Sequence, residues 1–303
     1  MPSRLQQLTK ELNSALDAQV LLAHITGKPR AWLLAHPELE LNPAQEKSLQ
    51  KALNQLNRNV PLPYVIGHWE FFGLDFLLSP DVLIPRPETE ELVEMGLDWL
   101  RASGKKQVLD VGTGSGCIPI AFAKNARDLN LLGVDISESA LSIARQNAHL
   151  HGKVHHKGTK DTKFSIKNTQ REIYKIGTST LQFIQSDLFS NFPTFKPSNP
   201  QPATFNLITA NLPYIPSETL KRLAVYRREP TLALDGGTDG LQLIRRLLAD
   251  APRHLAPRGL ILLEIDSSHG KNALSLARKF FPQAKSELLQ DLSQRDRFIR
   301  IQT

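Results

Sequence analysis

From Gln107 onward the apolar pattern alternates between short β-rich runs and helical periods, and its first turn is Gly112-Thr113-Gly114-Ser115-Gly116. The run Val108-Leu109-Asp110-Val111 leads into this turn as a strand, and a helix is predicted over 118–124. Strand, glycine loop and helix in that order open an α/β sheet, because glycine lets the backbone come close to a ligand where helix N–H groups are free. A second strand, Leu131-Leu132-Gly133-Val134, ends at Asp135, and Ser137 caps a helix over 138–150. A carboxylate at that strand end is placed to accept both hydroxyls of a ribose. The loop reads Gly-x-Gly-x-Gly followed by Cys117, where a dinucleotide fingerprint wants Gly-x-Gly-x-x-Gly. Together with Asp135 it points to an adenosine-containing ligand.

The third strand is Leu181-Gln182-Phe183-Ile184, with Asp187 just beyond it, and the fourth is Phe205-Asn206-Leu207-Ile208-Thr209-Ala210. The fourth breaks at Asn211-Leu212-Pro213-Tyr214. Pro213 has no N–H, so strand pairing stops and the chain lifts off the sheet edge. A side-chain amide, a backbone carbonyl and an aromatic ring then cluster at a strand's C-terminal end, where open α/β sheets bind ligands. Taken alone, Asn-x-Pro is an ordinary strand-ending turn; the glycine loop and Asp135 upstream make it a candidate site. Gly236-Gly237-Thr238-Asp239-Gly240 leads into a helix over 241–254, a fifth strand runs over 260–265, and a closing strand pair follows at 286–290 and 298–302.

Upstream, residues 3–58 carry helical periodicity. Leu5, Leu8 and Leu12 share a face, Gly27 closes a second helix, Pro29 opens a third over 30–35, and Asn42-Pro43 starts a fourth that reaches Leu56. This module holds no catalytic constellation and suits either packing or partner binding. Two β-rich runs around Gly73, within 64–76, read as a hairpin. No metal-type residues stand at ligand spacing from His68 in the sequence, and it is read as structural. The prolines of Ile84-Pro85-Arg86-Pro87-Glu88-Thr89-Glu90 stiffen a wall beside the site, with Thr89 as cap of a helix over 90–100. The expected organisation is a helical domain over 1–60, a hairpin linker over 61–84 and a catalytic domain over 85–303 with an insertion at 152–180.

With 303 residues there is room for one large and one small domain. A single cysteine excludes an internal disulfide and fits a reducing compartment. The N-terminus lacks a signal-peptide pattern, and no apolar run approaches the ~20 residues of a membrane span. A soluble cytoplasmic protein is expected, without membrane or metal partners. The net charge of +7 suggests nucleic acid, but its distribution argues otherwise. Lys153, Lys157, Lys160, Lys163, Lys167, Arg171 and Lys175 face only Asp161 and Glu172 within 152–180, which reads as a solvated, mobile insertion. The remainder is close to balanced, so nucleic-acid binding is not expected.

The glycine loop with Asp135, Asp187 after strand three and Asn-Leu-Pro-Tyr after strand four together resemble the class I, Rossmann-like methyltransferase fold. More narrowly, the stretches at 64–73, 84–90, 112–116, 211–214 and 229–240 resemble the protein-(glutamine-N5) methyltransferases that modify the Gly-Gly-Gln motif of peptide-chain release factors. That resemblance implies S-adenosylmethionine as cofactor, with Gly112, Thr113, Gly114, Ser115 and Gly116 along its methionine part. It implies Asp135 on the ribose, Asp187 near the adenine, and Asn211, Leu212, Pro213 and Tyr214 on the substrate amide, with Asn211 also near the cofactor. Three departures stand out: Leu212 replaces the first proline of Asn-Pro-Pro-Tyr, Glu264-Ile265-Asp266 with His269 replaces Glu-Ile-Gly with a nearby Gln, and the insertion is long.

An amide nitrogen is a poor nucleophile, so such a site must align it with the methyl donor at roughly 3–3.5 Å. The Asn211 side-chain oxygen and the Leu212 carbonyl can take its two hydrogens, with Tyr214 packing on the flat amide. A nucleic-acid amino methyltransferase needs the same acceptors plus a basic groove. A non-catalytic cofactor-binding protein is the reading from a different class.

Overall fold

Every helix of the amino-terminal part starts on a side chain or a proline suited to the task. The computed structural model describes residues 3–155, 172–190, 194–195, 201–202 and 204–303. It divides into one unit over Met1–His68 and a second over Trp69–Thr303.

In the first unit, Ser3 caps α1 (Arg4–Leu12) in a capping box with Gln6, and Ser14 caps α2 (Ala15–Thr26), which Gly27 closes in the left-handed region. Pro29 precedes α3 (Arg30–Ala35), and Asn42 with Gln45 forms a second capping box at α4 (Pro43–Leu56). Leu8, Leu21, Leu22, Leu49 and Leu53 are buried, the small core of this helical unit. Residues 62–66 are helical, α5 (Leu62–Ile66), where the β-branched Val65 and Ile66 suggest strand. Pro61 and Pro63 preset the first turn and Gly67 ends it at φ 81°, which outweighs the propensity of two residues.

The hairpin joins β1 (His68–Phe71) to β2 (Leu74–Leu77). The helix α6 (Pro87–Ser103) begins earlier than expected, on Pro87, so Thr89 lies inside its first turn and caps nothing. The central strands β3 (Gln107–Val111), β4 (Asn130–Asp135), β5 (Lys153–His155), β6 (Ile173–Ile176) and β7 (Ser179–Gln185) follow, interleaved with α7 (Cys117–Asn125) and α8 (Glu138–His151). A short pair, β8 (Thr194–Phe195) and β9 (Gln201–Pro202), stands apart from the sheet. The chain then runs through β10 (Phe205–Ala210), α9 (Ser217–Leu220), α10 (Gln242–Asp250), β11 (Leu255–Glu264), α11 (Gly270–Phe280), β12 (Lys285–Gln290) and β13 (Asp296–Gln302).

Among the described residues, nine strands form one sheet in the order β12-β13-β11-β10-β3-β4-β7-β6-β5. Its centre, from β11 to β7, is parallel, and both edges are antiparallel. Period-two alternation divides the core between the two faces. Val108, Leu131, Leu181, Leu207 and Leu262 pack with α6, α7 and α8, while Leu109, Leu132, Ile184, Ile208 and Leu263 pack with α10 and α11.

The insertion expected at 152–180 differs at both ends. Lys153–His155 and Ile173–Ile176 are paired strands that extend the sheet past β7. Ile173, Tyr174 and Ile176 are buried there, an apolar content that the surrounding lysines hide in a composition count. Residues 156–171, with Lys157, Lys160, Lys163, Lys167 and Arg171, lie outside the described residues, as do 191–193, 196–200 and 203 of the proline-rich loop. Among the described residues, no helix is long and apolar enough to cross a membrane.

Candidate active site

β3 and β10 are parallel neighbours, with Val111 opposite Ala210, so Gly112 and Asn211 leave the sheet side by side. From β3 the chain winds outward through β4 to β7, and from β10 it winds the other way to β11. The winding reverses between these two strands, and there the connections part and leave a crevice outside the strand ends. A pocket of ≈ 920 Å³ lies at that place, bounded by Gly112, Gly114, Asp135, Asp187, Asn211, Leu212 and Pro213, with Val82 and Leu83 on another side.

The glycine loop and the end of β4 are tied together. The Val134 carbonyl accepts from Gly112 N–H at 2.8 Å and from Thr113 N–H at 2.9 Å. Asp135 Oδ2 accepts from Gly114 N–H, and its Oδ1 from Ser137 N–H, both at 2.9 Å. Burial pushes the Asp135 carboxyl above its usual range, against the pull of those N–H groups. Gly112 turns at φ 73°, and a Cβ there would stand 2.9 Å from Leu212 Cδ2. Leu212 is thus buried against the loop, in the place where the resemblance leads one to expect proline. Two residues before the loop, buried Asp110 accepts from Thr209 Oγ1 at 2.8 Å across the β3–β10 pair, and burial pushes its carboxyl up to about 6.

The segment after β10 is held from behind. Ile215 N–H donates to Leu234 at 3.1 Å, Gly236 N–H donates to Ile215 at 2.8 Å, and Ser217 Oγ donates to Asp235 at 2.6 Å. A Cβ on Gly236 would meet Tyr214 Cα at 2.7 Å and the Pro213 carbonyl at 2.8 Å, so the two loops approach closely only because that residue is glycine. The stiff segment before α6 is fastened similarly. Glu229 is buried, accepting from Ile84 N–H at 3.1 Å and from the Arg86 guanidinium at 2.6 Å.

Asn211 Nδ2 donates to Thr89 Oγ1 at 3.0 Å, and Thr89 Oγ1 donates to Glu264 Oε2 at 2.7 Å. Strand parity explains the meeting. Ala210 pairs with Leu263, so Asn211 and Glu264 project from the ends of adjacent strands toward the α6 face, where Thr89 sits. Tyr214 Oη reaches Glu264 Oε1 at 3.4 Å, and burial, followed by that carboxylate, holds its phenol above the usual range. Burial pushes Glu264 up to about 7, and Thr89 and Arg297 act against it. The Asp187 carboxylate pairs with Arg246 at 2.7 Å, both about half-exposed, which contributes little to stability.

Of the residues that the resemblance assigns to the site, seven bound the pocket: Gly112, Gly114, Asp135, Asp187, Asn211, Leu212 and Pro213. Thr113 and Ser115 are buried instead, Gly116 is the N-cap of α7, and Tyr214 turns its hydroxyl toward Glu264. The sequence reading missed the link through Thr89 to Glu264 and the pocket-side cation Arg246.

Residues 3–67 match the family model described as the PrmC N-terminal domain, and residues 89–174 match that of ribosomal protein L11 methyltransferase (PrmA). A protein of Moorella thermoacetica called release factor glutamine methyltransferase is 35% identical over 93% of this chain and 89% of its own length. The chain belongs to the release factor glutamine methyltransferase family. A Xylella fastidiosa member of the same name is 34% identical over 98% of this chain and 97% of its own, and one from Bacillus anthracis is 30% identical over 93% and 90%. Similarity to these methyltransferases thus runs through both units and across the pocket.

Proposed function

We propose that this chain methylates the side-chain amide nitrogen of the glutamine in the Gly-Gly-Gln motif of peptide-chain release factors, using S-adenosylmethionine. The observation that carries the reading is Asn211-Leu212 at the sheet's reversal point, beside the Gly112–Asp135 pocket, in a chain of this family. Release factors are the substrates named for the relatives, and a cytoplasmic setting follows from that substrate.

The pocket fits the cofactor by its chemistry. Asp135 has an oxygen engaged by each backbone N–H and keeps lone pairs for the hydroxyls of a ribose. Gly112, Gly114 and Asp187 line the pocket, the glycines as bare backbone, and Asp187 would hold the adenine. When bound, S-adenosylmethionine supplies a methyl group on a positively charged sulfur. The chain's own task is to present the amide. Asn211 Oδ1 and the Leu212 carbonyl each accept one N–H of the glutamine, which fixes the nitrogen and favours positive charge growing on it. A protonated N-alkyl amide loses its proton readily to water, so no strong base is required. Pro213 keeps the backbone off the sheet so that the Leu212 carbonyl is free. Tyr214, whose hydroxyl reaches Glu264, packs its ring against the flat substrate amide. The helical unit, which among the described residues holds no metal-binding cluster, recognises the protein substrate.

The test is incubation of the purified chain with S-adenosylmethionine and a release factor, followed by mass analysis of the Gly-Gly-Gln peptide. Gain of one methyl group on that glutamine, absent when it is replaced by alanine, supports the reading. Methyl transfer to nucleic acid and none to the release factor contradicts it.

A further inference from the structure

We propose that Thr89 and Glu264 are positioning residues that decide which end of the Asn211 amide faces the pocket. The inference rests on the reading of Asn211 as an acceptor for the substrate amide.

An asparagine amide has a donor end and an acceptor end of almost the same shape, and only its partners choose between the two orientations. At this site the useful end is the oxygen, because the substrate nitrogen brings hydrogens. A single hydrogen makes the choice. Thr89 has one O–H, and a carboxylate 2.7 Å away takes it. The threonine oxygen is left with lone pairs alone, so toward Asn211 it can only accept, and Asn211 turns Nδ2 to it at 3.0 Å. Oδ1 is then left for the pocket, which Asn211 lines. The alternative orientation would set two oxygens against each other with no hydrogen between them.

The polarity of this relay is set by the ionised carboxylate at its buried end. Facing Glu264 are the Thr89 hydroxyl and the Glu88 charge from α6, the Tyr214 hydroxyl after β10, and Arg297 from β13, which Asp291 holds at 3.1 Å. Arg297 favours the ionised form, and Glu88 and burial oppose it. A protonated Glu264 could donate to Thr89, whose own hydrogen would then be free to point at Asn211 and reverse the amide. Thr89 and Asn211 are 122 residues apart in the chain, and Thr89 and Glu264 are 175 apart. All three meet only because the sheet order puts β10 beside β11 under the first turn of α6.

The experiment compares Thr89→Val, Thr89→Ser and Asn211→Ala in single-turnover methyl transfer to a release factor. Rates are read across pH, with cofactor affinity and thermal stability measured in parallel. Valine keeps the shape of threonine without the hydroxyl, and serine keeps the hydroxyl. The expected result for Thr89→Val is a rate roughly 10–100-fold lower, the scale for a misplaced catalytic contact, in a variant that stays folded at the assay temperature with cofactor affinity close to wild type. Thr89→Ser should recover most of that loss. The wild-type rate should fall as pH drops through about 7, where Glu264 takes up its proton, and this limb should flatten in Thr89→Val. Asp110 and Asp135 are untouched by the substitution, so the difference between the two profiles isolates the relay. If Thr89→Val keeps the wild-type rate while Asn211→Ala is slow, the relay is refuted and the site reading stands. If Asn211→Ala keeps the wild-type rate, the site reading itself fails. Equal losses in Thr89→Val and Thr89→Ser, both with lowered melting temperature, would reduce Thr89 to packing and overturn the proposal.

Discussion

The backbone N–H of Gly114 donates to Asp135 Oδ2 at 2.9 Å, tying the loop after β3 to the end of β4. The residue proposed for the ribose therefore also holds the glycine loop in shape. Asp135→Ala should weaken S-adenosylmethionine binding by about 1.5–3 kcal/mol, the scale of hydrogen bonds to a charged group. Titration calorimetry checks this, and unchanged affinity would remove Asp135 from the ribose site.

Gly112 faces Leu212 across the β3–β10 pair. Alanine at 112 would need a left-handed backbone at φ 73° and would place its Cβ 2.9 Å from Leu212 Cδ2. Gly112→Ala should cost about 1–3 kcal/mol in stability, the usual range for overpacking a close contact. Methyl transfer should fall further than stability alone explains, since the displaced residue carries the proposed acceptor carbonyl. Denaturant unfolding and rate measurement on the same variant separate the two effects, and a folded variant with the wild-type rate would contradict this role for the Gly112–Leu212 contact.

Glu229 fastens the segment before α6, and its carboxylate is 5% exposed while the Arg86 side chain is 33% exposed. Arg86→Ala leaves a buried carboxylate without its counter-charge and should lower stability by about 2–4 kcal/mol, somewhat under the full cost of breaking a buried pair because Arg86 is partly solvated. Val82 and Leu83 line the pocket just upstream, so cofactor affinity should fall as well. Thermal unfolding with and without cofactor reads both effects. A variant as stable as wild type would show the ion pair to be incidental.

Buried Asp110 gives the stability a pH dependence of definite sign. Its carboxyl is pushed up to about 6, against ~3.9 in an unfolded chain. The folded state therefore holds this proton more tightly. The resulting stability is fully present below about pH 4 and is lost as pH rises through about 6, a loss on the order of 3 kcal/mol. Asparagine keeps an acceptor for Thr209 and cannot ionise. Relative to wild type, Asp110→Asn should gain in melting temperature between pH 4 and pH 8, measured without cofactor. A difference between the two proteins that does not vary with pH would contradict the argument.

What could be read without coordinates, and what could not, divides by range along the chain. The glycine loop, Asp135, the Ser137 cap and the break at Pro213 are each signalled within a few residues; Ser137 caps α8, and Gly112, Gly114, Asp135 and Pro213 line one pocket. Thr89 reads as a cap because it stands next to a run of Glu, whereas the helix starts on Pro87, three residues before Glu90. Its partners are far away in sequence, and only the strand order and the register of Ala210 with Leu263 bring them to it. The strands flanking 156–171 were hidden by lysines around Ile173, Tyr174 and Ile176. Tyr214 belongs to the motif by position, yet its hydroxyl is drawn to Glu264, a pairing that no local pattern announces.

The central claim is that the end of β10 performs the chemistry, and single-turnover methyl transfer by Asn211→Ala tests it most directly. The substrate is a release factor, the cofactor is saturating, and thermal stability is followed in parallel. The account predicts a rate lower by about 10²–10³, the cost of losing one preorganised polar partner. It also predicts a melting temperature near wild type, because Asn211 lies past the last paired residue of the strand. A folded Asn211→Ala variant that transfers methyl to the glutamine at the wild-type rate would contradict it.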